Sequence, residues 1–200
     1  IDKFNREINY LRISVTDRCN LRCVYCMPAG GIIHKSEDQI LSFEDIYRIV
    51  DVAVSLGIQR VRITGGEPLV RKNLPFLIEK LRSLKELKEI ALTTNGIYLS
   101  DYAHSLKMAG LDRLNISLDT LIPKKFTEIT RGGNIELVFK GIESAFLAGF
   151  SSLKINTVLM KGFNEDELLD FARLAKEKPL HIRFIEYMPT NLDYFFRENL

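Results

Sequence analysis

The sequence predicts an α/β fold, a partial (βα)6 TIM-like barrel, from two observations. Short β-branched runs alternate strictly with amphipathic stretches, and polar side chains alternate with apolar ones along most of these runs. Strands that alternate with helices pair in parallel through right-handed crossovers, either as an open doubly wound sheet or as a barrel. The alternation of polar and apolar side chains decides between the two, because it determines what each face of the sheet contacts.

Six runs have the length and composition of strands, and five stretches between them carry apolar residues at helical spacing. Gly57, Gly110 and Gly149 lie just past three of these stretches, as is typical of helix C-termini. In chain order, the predicted strands span residues 10–15, 60–64, 89–93, 113–118, 153–160 and 181–187. The predicted helices span residues 43–56, 74–84, 100–108, 136–147 and 165–178.

The faces of the predicted strands favour a barrel over a doubly wound sheet. Arg12 and Ser14 share one face of the first strand, opposite its apolar side chains, and the second, fourth and fifth strands repeat this pattern. A sheet covered by helices on both faces would consist of apolar runs instead. In the sixth strand, Glu186 and Met188 share a face with Ile182, so parity leaves its orientation open. We therefore expect a polar lumen, in an open barrel with too few strands to close as an eight-stranded one.

Composition and charge exclude several classes of function. The chain has 200 residues, of which 46% are hydrophobic, and its 28 Lys and Arg nearly balance 26 Asp and Glu. A net charge of +2 gives no reason to expect a nucleic acid or an anionic membrane surface as partner. The sequence has no apolar stretch of the roughly 18–20 residues that span a bilayer, and its polar start lacks the apolar segment of a signal peptide. We expect a cytoplasmic protein.

All three cysteines lie in one segment, TDRCNLRCVYCMP, directly after the first predicted strand. Cys19, Cys23 and Cys26 have the spacing Cys-x3-Cys-x2-Cys, which is too crowded and odd in number for a disulfide framework. Three thiolates on one loop can hold three irons of a [4Fe–4S] cluster and leave the fourth iron open to a ligand. A zinc site remains an alternative, with His34 as the nearby histidine, and so do loop cysteines that bind no metal.

This segment, with Tyr25 before the last cysteine, resembles the signature of the radical S-adenosylmethionine (SAM) superfamily. The resemblance implies that Cys19, Cys23 and Cys26 hold a [4Fe–4S] cluster and that SAM chelates its open iron. It also implies that the reduced cluster breaks the sulfonium bond of SAM to give a 5′-deoxyadenosyl radical. The cofactors then carry the difficult chemistry, while the protein supplies placement and shielding.

Within this superfamily, six ordered segments are similar to the GTP 3′,8-cyclase family of molybdenum cofactor biosynthesis. They read LRISVTDRCNLRCVYCMP, RVRITGGEPLVR, LTTNG, LNISLDTL, KINTVLMKGFN and RFIEYMP. The resemblance implies a lyase that cyclises GTP to (8S)-3′,8-cyclo-7,8-dihydroguanosine 5′-triphosphate. Three alternatives stay open: a radical SAM enzyme with another substrate, a non-enzymatic iron–sulfur electron carrier and a zinc-stabilised binding module.

The same resemblance assigns two sets of binding residues and no catalytic residue beyond the cluster ligands. The residues expected to contact SAM are Tyr25, Gly66, Ser117 and Met188. The residues expected to contact GTP are Arg12, Arg62, Thr93 and Lys154. Three cations on the polar face of the strands suit a triphosphate, since converging buried charges are costly unless an anion neutralises them. The competing interpretations are a strand-ending turn for Gly66 and for Thr93, a polar lumen filler for Ser117 and core packing for Met188. For the cations, the alternative is an ion-pair network with Glu67, Asp119 or Glu186.

The resemblance covers residues 1–200 as one radical SAM partial barrel. The family carries a second [4Fe–4S] cluster, bound by three further cysteines in a C-terminal part, and this sequence has none of those cysteines. We therefore expect the chain to be the N-terminal portion of a longer protein. The partners that the resemblance implies are SAM, GTP and an electron donor such as flavodoxin or ferredoxin, and an exposed barrel edge makes a homodimer a further expectation.

Overall fold

The computed structural model describes residues 3–188 and contains one sheet of six parallel strands, in the order β1 to β6 along the chain and across the sheet. Each strand pairs with the next, as right-handed β/α units predict. The sheet therefore has the predicted barrel-like topology. The strands are β1 (Tyr10–Ser14), β2 (Arg60–Thr64), β3 (Glu89–Thr94), β4 (Arg113–Ser117), β5 (Leu153–Leu159) and β6 (Leu180–Glu186).

Six α-helices lie in the described residues, one more than the sequence predicts. They are α1 (Phe43–Ser55), α2 (Leu74–Arg82), α3 (Leu99–Met108), α4 (Pro123–Thr130), α5 (Ile135–Leu147) and α6 (Leu168–Glu177). The last predicted helix begins instead as a 3₁₀ turn, Glu165–Glu167.

The missed helix is α4, whose sequence PKKFTEIT has only two apolar side chains and two β-branched threonines. Phe126 and Ile129 are both buried and lie three residues apart, which is enough for one turn of contact but too little for a periodic signal. Pro123 in its first turn is the remaining sequence signal for its start.

Helices cover the apolar face of the sheet. Buried side chains on α1 recur at Ile46, Val50 and Val54, the four-residue spacing of a single helical face. Between α3 and α5, Gly141 permits close packing, because a Cβ atom there would lie 2.7 Å from the carbonyl oxygen of Gly96. The opposite face of the sheet is therefore left to line the lumen.

The register of β6 shows which face of the sheet its side chains occupy, a question that the sequence left open. Arg183 of β6 pairs with Asn156 of β5, and His181 pairs with Lys154. Because Lys154 and Asn156 lie on the polar face, Arg183 and His181 share that face. Phe184 on the opposite face contacts Phe171 of α6 edge to face, with ring centroids 5.9 Å apart.

The edge strand β6 is less covered than the central strands. Phe184 and Ile185 are 41% and 40% exposed, whereas Ile90 and Leu92 of β3 are fully buried. In the described part of the chain, no helix has the length and apolar character needed to cross a membrane.

Candidate functional site

The cysteine loop follows β1 at the carboxyl ends of the strands, where β/α barrels carry their sites. Cys19 and Cys23 are partly buried and Cys26 is exposed. A turn joins the last two, because the amide of Cys26 donates to the carbonyl of Cys23 over 2.9 Å. Burial raises the pKa of Cys23 to about 12, with the Asp119 carboxylate as the next cause. A metal ion bound to this thiol would reverse the effect, because coordination stabilises the thiolate.

The first half of this loop, residues 16–20, packs against the loop that follows β2. The amide of Gly66 donates to the Thr16 carbonyl over 2.7 Å, and the amide of Glu67 donates to the Arg18 carbonyl over 2.8 Å. A Cβ atom at Gly66 would lie 2.3 Å from the same Arg18 oxygen. Glycine is therefore required at position 66 by the close approach of two backbones.

Glu67 joins the loops after β2 and β3. Its buried carboxylate accepts hydrogen bonds from the amide of Leu69, the hydroxyl of Thr94 and the amide of Asn95. Asn95 in turn donates to Asn20 over 2.8 Å, within the first half of the cysteine loop. The buried carboxylate thus organises loop backbone and does not neutralise a lumen cation.

The second half of the loop, residues 22–27, packs against the C-terminal end of α4. The amide of Arg22 donates to the Thr130 carbonyl over 3.1 Å, and the amide of Val24 donates to the Ile129 carbonyl over 2.9 Å. These carbonyls belong to the last turn of a helix, where no intrahelical donor is available. The loop backbone therefore completes the hydrogen bonding of α4.

Tyr25 connects the loop to β4 and β5. Its hydroxyl donates to Oδ2 of Asp119 over 2.6 Å, and Oδ1 of the same carboxylate accepts from the amide of Val158 over 2.8 Å. Burial raises the pKa of Asp119 to about 6, although both hydrogen bonds act to lower it. Asn164 donates to the carbonyl of Asp119 and completes the link. Asp119, like Glu67, is therefore engaged in loop structure and does not pair with lumen cations.

The lumen face brings together basic side chains from both edges of the sheet. Arg12 of β1 pairs in register with Arg62 of β2, and Lys154 lies on β5. Burial lowers the pKa of Lys154, and the positive charges of Arg113 and Arg183 lower it further. Arg183 is an addition to the predicted set, which sequence parity could not supply because the orientation of β6 was ambiguous.

Several buried polar atoms of this face have no hydrogen-bond partner in the described structure. They are Nε of Arg62, Oγ1 of Thr93, Oδ1 of Asn115 and Oδ1 of Asn156. Thr93 and Asn115 pair in register on adjacent strands, and Asn115 is 1% exposed. Unpaired polar atoms at such depth are costly unless a ligand or water satisfies them.

The structure brings most of the predicted ligand residues to the polar face or the cysteine loop. Ser117 ends β4 on the lumen side, in register with Asn156. Met188 follows β6 and is 77% exposed in the described structure. Tyr25 and Gly66 both lie at the cysteine loop.

The three thiols of the cysteine loop lie on one short segment, which suits a four-iron cluster. In residues 3–188, no three His, Cys, Asp or Glu side chains are arranged to hold one metal ion. His34 approaches Asp17, with Nδ1 and Oδ2 separated by 3.6 Å. A four-iron cluster needs no common point, because each thiolate binds its own iron.

A partial parallel β/α barrel with three cysteines at the carboxyl ends of its strands defines a class of iron–sulfur barrel proteins. Residues 13–175 match the sequence model of the Radical SAM superfamily, and the chain belongs to that superfamily. The cofactors of this family are a [4Fe–4S] cluster and SAM.

The relatives named GTP 3′,8-cyclase include proteins from Moorella thermoacetica and Petrotoga mobilis. The protein from Moorella thermoacetica is 58% identical over 188 residues, and that from Petrotoga mobilis is 54% identical over 189 residues. Both alignments cover 94% of this chain and 58% of the relative. The chain therefore spans less than two thirds of the length of these relatives.

Solved structures share the fold at much lower identity. SuiB from Streptococcus suis bound to S-adenosylmethionine has a TM-score of 0.77 and 20% identity, over 92% of this chain and 41% of that one. Methylornithine synthase has a TM-score of 0.72 and 16% identity, over 93% of this chain and 56% of that one. These likenesses support the partial barrel fold alone.

Proposed function

We propose that the chain is the radical SAM barrel of a GTP 3′,8-cyclase, which forms (8S)-3′,8-cyclo-7,8-dihydroguanosine 5′-triphosphate in the first step of molybdenum cofactor biosynthesis. The observation that carries this proposal is the lumen: basic side chains converge there, beside buried polar atoms without partners and below a three-cysteine loop. The relatives named GTP 3′,8-cyclase, at 52–58% identity, support the same function.

In this proposal Cys19, Cys23 and Cys26 hold the [4Fe–4S] cluster and leave one iron for SAM. When bound, the cluster and SAM supply the 5′-deoxyadenosyl radical that removes the ribose 3′ hydrogen. The protein's task is to place and shield the reactants. Hydrogen bonds hold the loop against the residues that follow β2 and β4 and against the end of α4, and they fix its position.

The residues proposed to contact SAM lie around the cysteine loop and the lumen. Gly66 offers exposed backbone at the end of β2, where a side chain is excluded. Ser117 adds a hydroxyl on the lumen face, and Met188 is exposed enough to contact a ligand. Tyr25 acts through its position in the loop, because its hydroxyl is already bonded to Asp119.

The residues proposed to contact GTP are Arg12, Arg62, Thr93 and Lys154. A guanidinium group matches phosphate oxygens with several donors, and the Lys154 ammonium acts as a point charge. Burial lowers the pKa of Lys154, and repulsion from neighbouring cations lowers it further; an anion in the lumen would offset that repulsion. The register of β6 adds Arg183 to this face.

The partners and location of the proposal follow from its chemistry. Cluster reduction needs a one-electron donor such as flavodoxin or ferredoxin, and the exposed edge strand supports a homodimer as part of the proposal. Free thiols in the loop are kept reduced in the cytoplasm, which is the proposed location.

The test is binding and turnover of GTP by the 200-residue chain reconstituted anaerobically with iron and sulfide. Equilibrium dialysis with labelled GTP should show that Arg62→Ala and Lys154→Ala each weaken binding about tenfold or more, because charge-assisted hydrogen bonds to phosphate are lost. Arg48→Ala removes an exposed charge on α1 and serves as the control. Guanosine should bind more weakly than GTP.

Mass spectrometry with SAM and dithionite then reports the product. Cyclised nucleotide from the wild-type chain supports the full proposal. Equal GTP affinity in wild type and both lumen variants would contradict the assignment of the lumen, and 5′-deoxyadenosine without any GTP binding would favour a different radical SAM substrate.

A further inference from the structure

Arg131 follows α4 in a backbone conformation that favours glycine. Its φ and ψ are 54° and 53°, in the left-handed region, where a non-glycine residue is strained. Helices often end with a glycine in this conformation, and Gly132 is the very next residue. An arginine at this position therefore indicates that its side chain makes contacts that offset the strain.

The guanidinium of Arg131 bridges the two ends of the second half of the cysteine loop. Its Nη1 atom donates to the carbonyl of Arg22 over 2.9 Å and to the carbonyl of Met27 over 2.7 Å. These two carbonyls flank the segment that carries Cys23 and Cys26. One charged nitrogen thus fixes the distance between the ends of that segment, and hydrogen bonds from charged donors are the stronger kind.

Backbone contacts make the end of α4 a platform for this interaction. The carbonyls of Ile129 and Thr130 accept from the amides of Val24 and Arg22. Behind them, a Cβ atom at Gly133 would lie 3.0 Å from a methyl carbon of Leu21. The loop therefore lies against the chain both before and after Arg131, at the last turn of α4 and at Gly133.

We propose that Arg131 is a positioning residue that holds the Cys23–Cys26 turn in the geometry in which its two thiols bind the cluster. The importance of this geometry rests on the proposed function, whereas the ordering of the loop by Arg131 is a property of the chain without cofactors. Arg131 itself contacts the backbone of the loop and none of the thiols.

Hydrogen exchange of the cluster-free protein tests the ordering directly. Arg131→Gly removes the guanidinium and also relieves the backbone strain, so loss of folding is not expected. The amides of Val24, Cys26 and Met27 should exchange about tenfold faster in this variant. Local opening of the loop no longer has to break two charge-assisted hydrogen bonds, so the open state is populated more often. The amides of Gly66 and Glu67, which hold the first half of the loop, should keep their wild-type rates.

Two further variants separate positioning from a general effect of charge. Arg131→Lys keeps one donor near the same carbonyls and should restore part of the protection, while Arg173→Ala removes an exposed charge on α6 and should change none of these rates. Unchanged exchange in Arg131→Gly, or an equal increase at Gly66 and Val24, would overturn the proposal.

The reconstituted protein supplies the second readout. Arg131→Gly should bind less iron per chain, and the electron paramagnetic resonance signal of its reduced cluster should broaden and respond less to SAM. A wild-type spectrum and full iron content in this variant would overturn the role in cluster binding. If Arg131→Gly selectively loses amide protection, Arg131 organises the loop whether or not a cluster binds. If the wild-type chain itself takes up no cluster, the proposed function is contradicted while this ordering role stands.

Discussion

The two halves of the cysteine loop are held by different kinds of interaction. Residues 16–20 are bound mainly through backbone, with amides of Gly66 and Glu67 donating to loop carbonyls and no room for a Cβ atom at position 66. Residues 22–27 depend on side chains as well, through the Arg131 guanidinium and the Tyr25 hydroxyl. The first half should therefore be most sensitive to added volume at position 66, and the second half should be most sensitive to loss of the Arg131 and Tyr25 groups.

The largest expected effect comes from the thiols that both halves position. Cys23→Ala removes one of the three proposed cluster ligands and should reduce iron and sulfide binding to near background, because the sequence offers no other cysteine to replace it. Iron analysis and the absorbance of the anaerobic protein measure this. The cluster-free forms of variant and wild type should unfold at similar temperatures, and full cluster content in the variant would contradict the ligand assignment.

Gly66→Ala tests the backbone contact of the first half. Its Cβ atom would lie 2.3 Å from the Arg18 carbonyl oxygen, so one of the two loops must move. We expect a loss of about 1–3 kcal/mol in the free energy of unfolding, measured by urea denaturation of the cluster-free protein. Gly30→Ala is the matched control, since no heavy atom lies within 4 Å of its added Cβ atom, and it should change stability by less than about 0.5 kcal/mol.

Tyr25→Phe tests a side-chain contact of the second half. The variant keeps the ring but leaves the buried Asp119 carboxylate without one of its donors, at an expected cost of about 1–3 kcal/mol in unfolding free energy. Tyr98→Phe, at the exposed start of α3, should cost less than about 0.5 kcal/mol. Equal stability of the two variants in urea denaturation would show that the link to Asp119 contributes nothing to holding the loop.

The smallest effect is expected for Asn20→Ala, which removes a side-chain contact from the first half. The variant loses the hydrogen bond from Asn95, and both partners are partly exposed. The free energy of unfolding should therefore fall by about 1 kcal/mol or less. Amide exchange at Gly66 and Glu67 should stay at the wild-type rate. Faster exchange at both amides would show that the first half also depends on side chains, and the contrast between the halves would then fail.

The sequence predicts the cysteine loop well but only part of what supports it. The cysteines lie within eight consecutive residues, and the strands are marked by β-branched runs, so both are local signals. Arg131 lies 109 residues from Arg22 along the chain, at the end of a helix with two apolar residues, and no local pattern joins them. The orientation of β6, and with it Arg183, depended on register and not on parity. The contacts that position the site thus join residues far apart in the sequence, whereas the cysteines that define it lie close together in the sequence.

The most direct test of the central claim is the production of 5′-deoxyadenosine by the reconstituted chain. Wild type and Cys23→Ala would be incubated anaerobically with SAM and dithionite, and the nucleoside would be quantified by mass spectrometry. We predict 5′-deoxyadenosine from the wild-type chain and none above background from the variant. A wild-type chain that is loaded with cluster and yields no 5′-deoxyadenosine would contradict the assignment of this barrel as a radical SAM site.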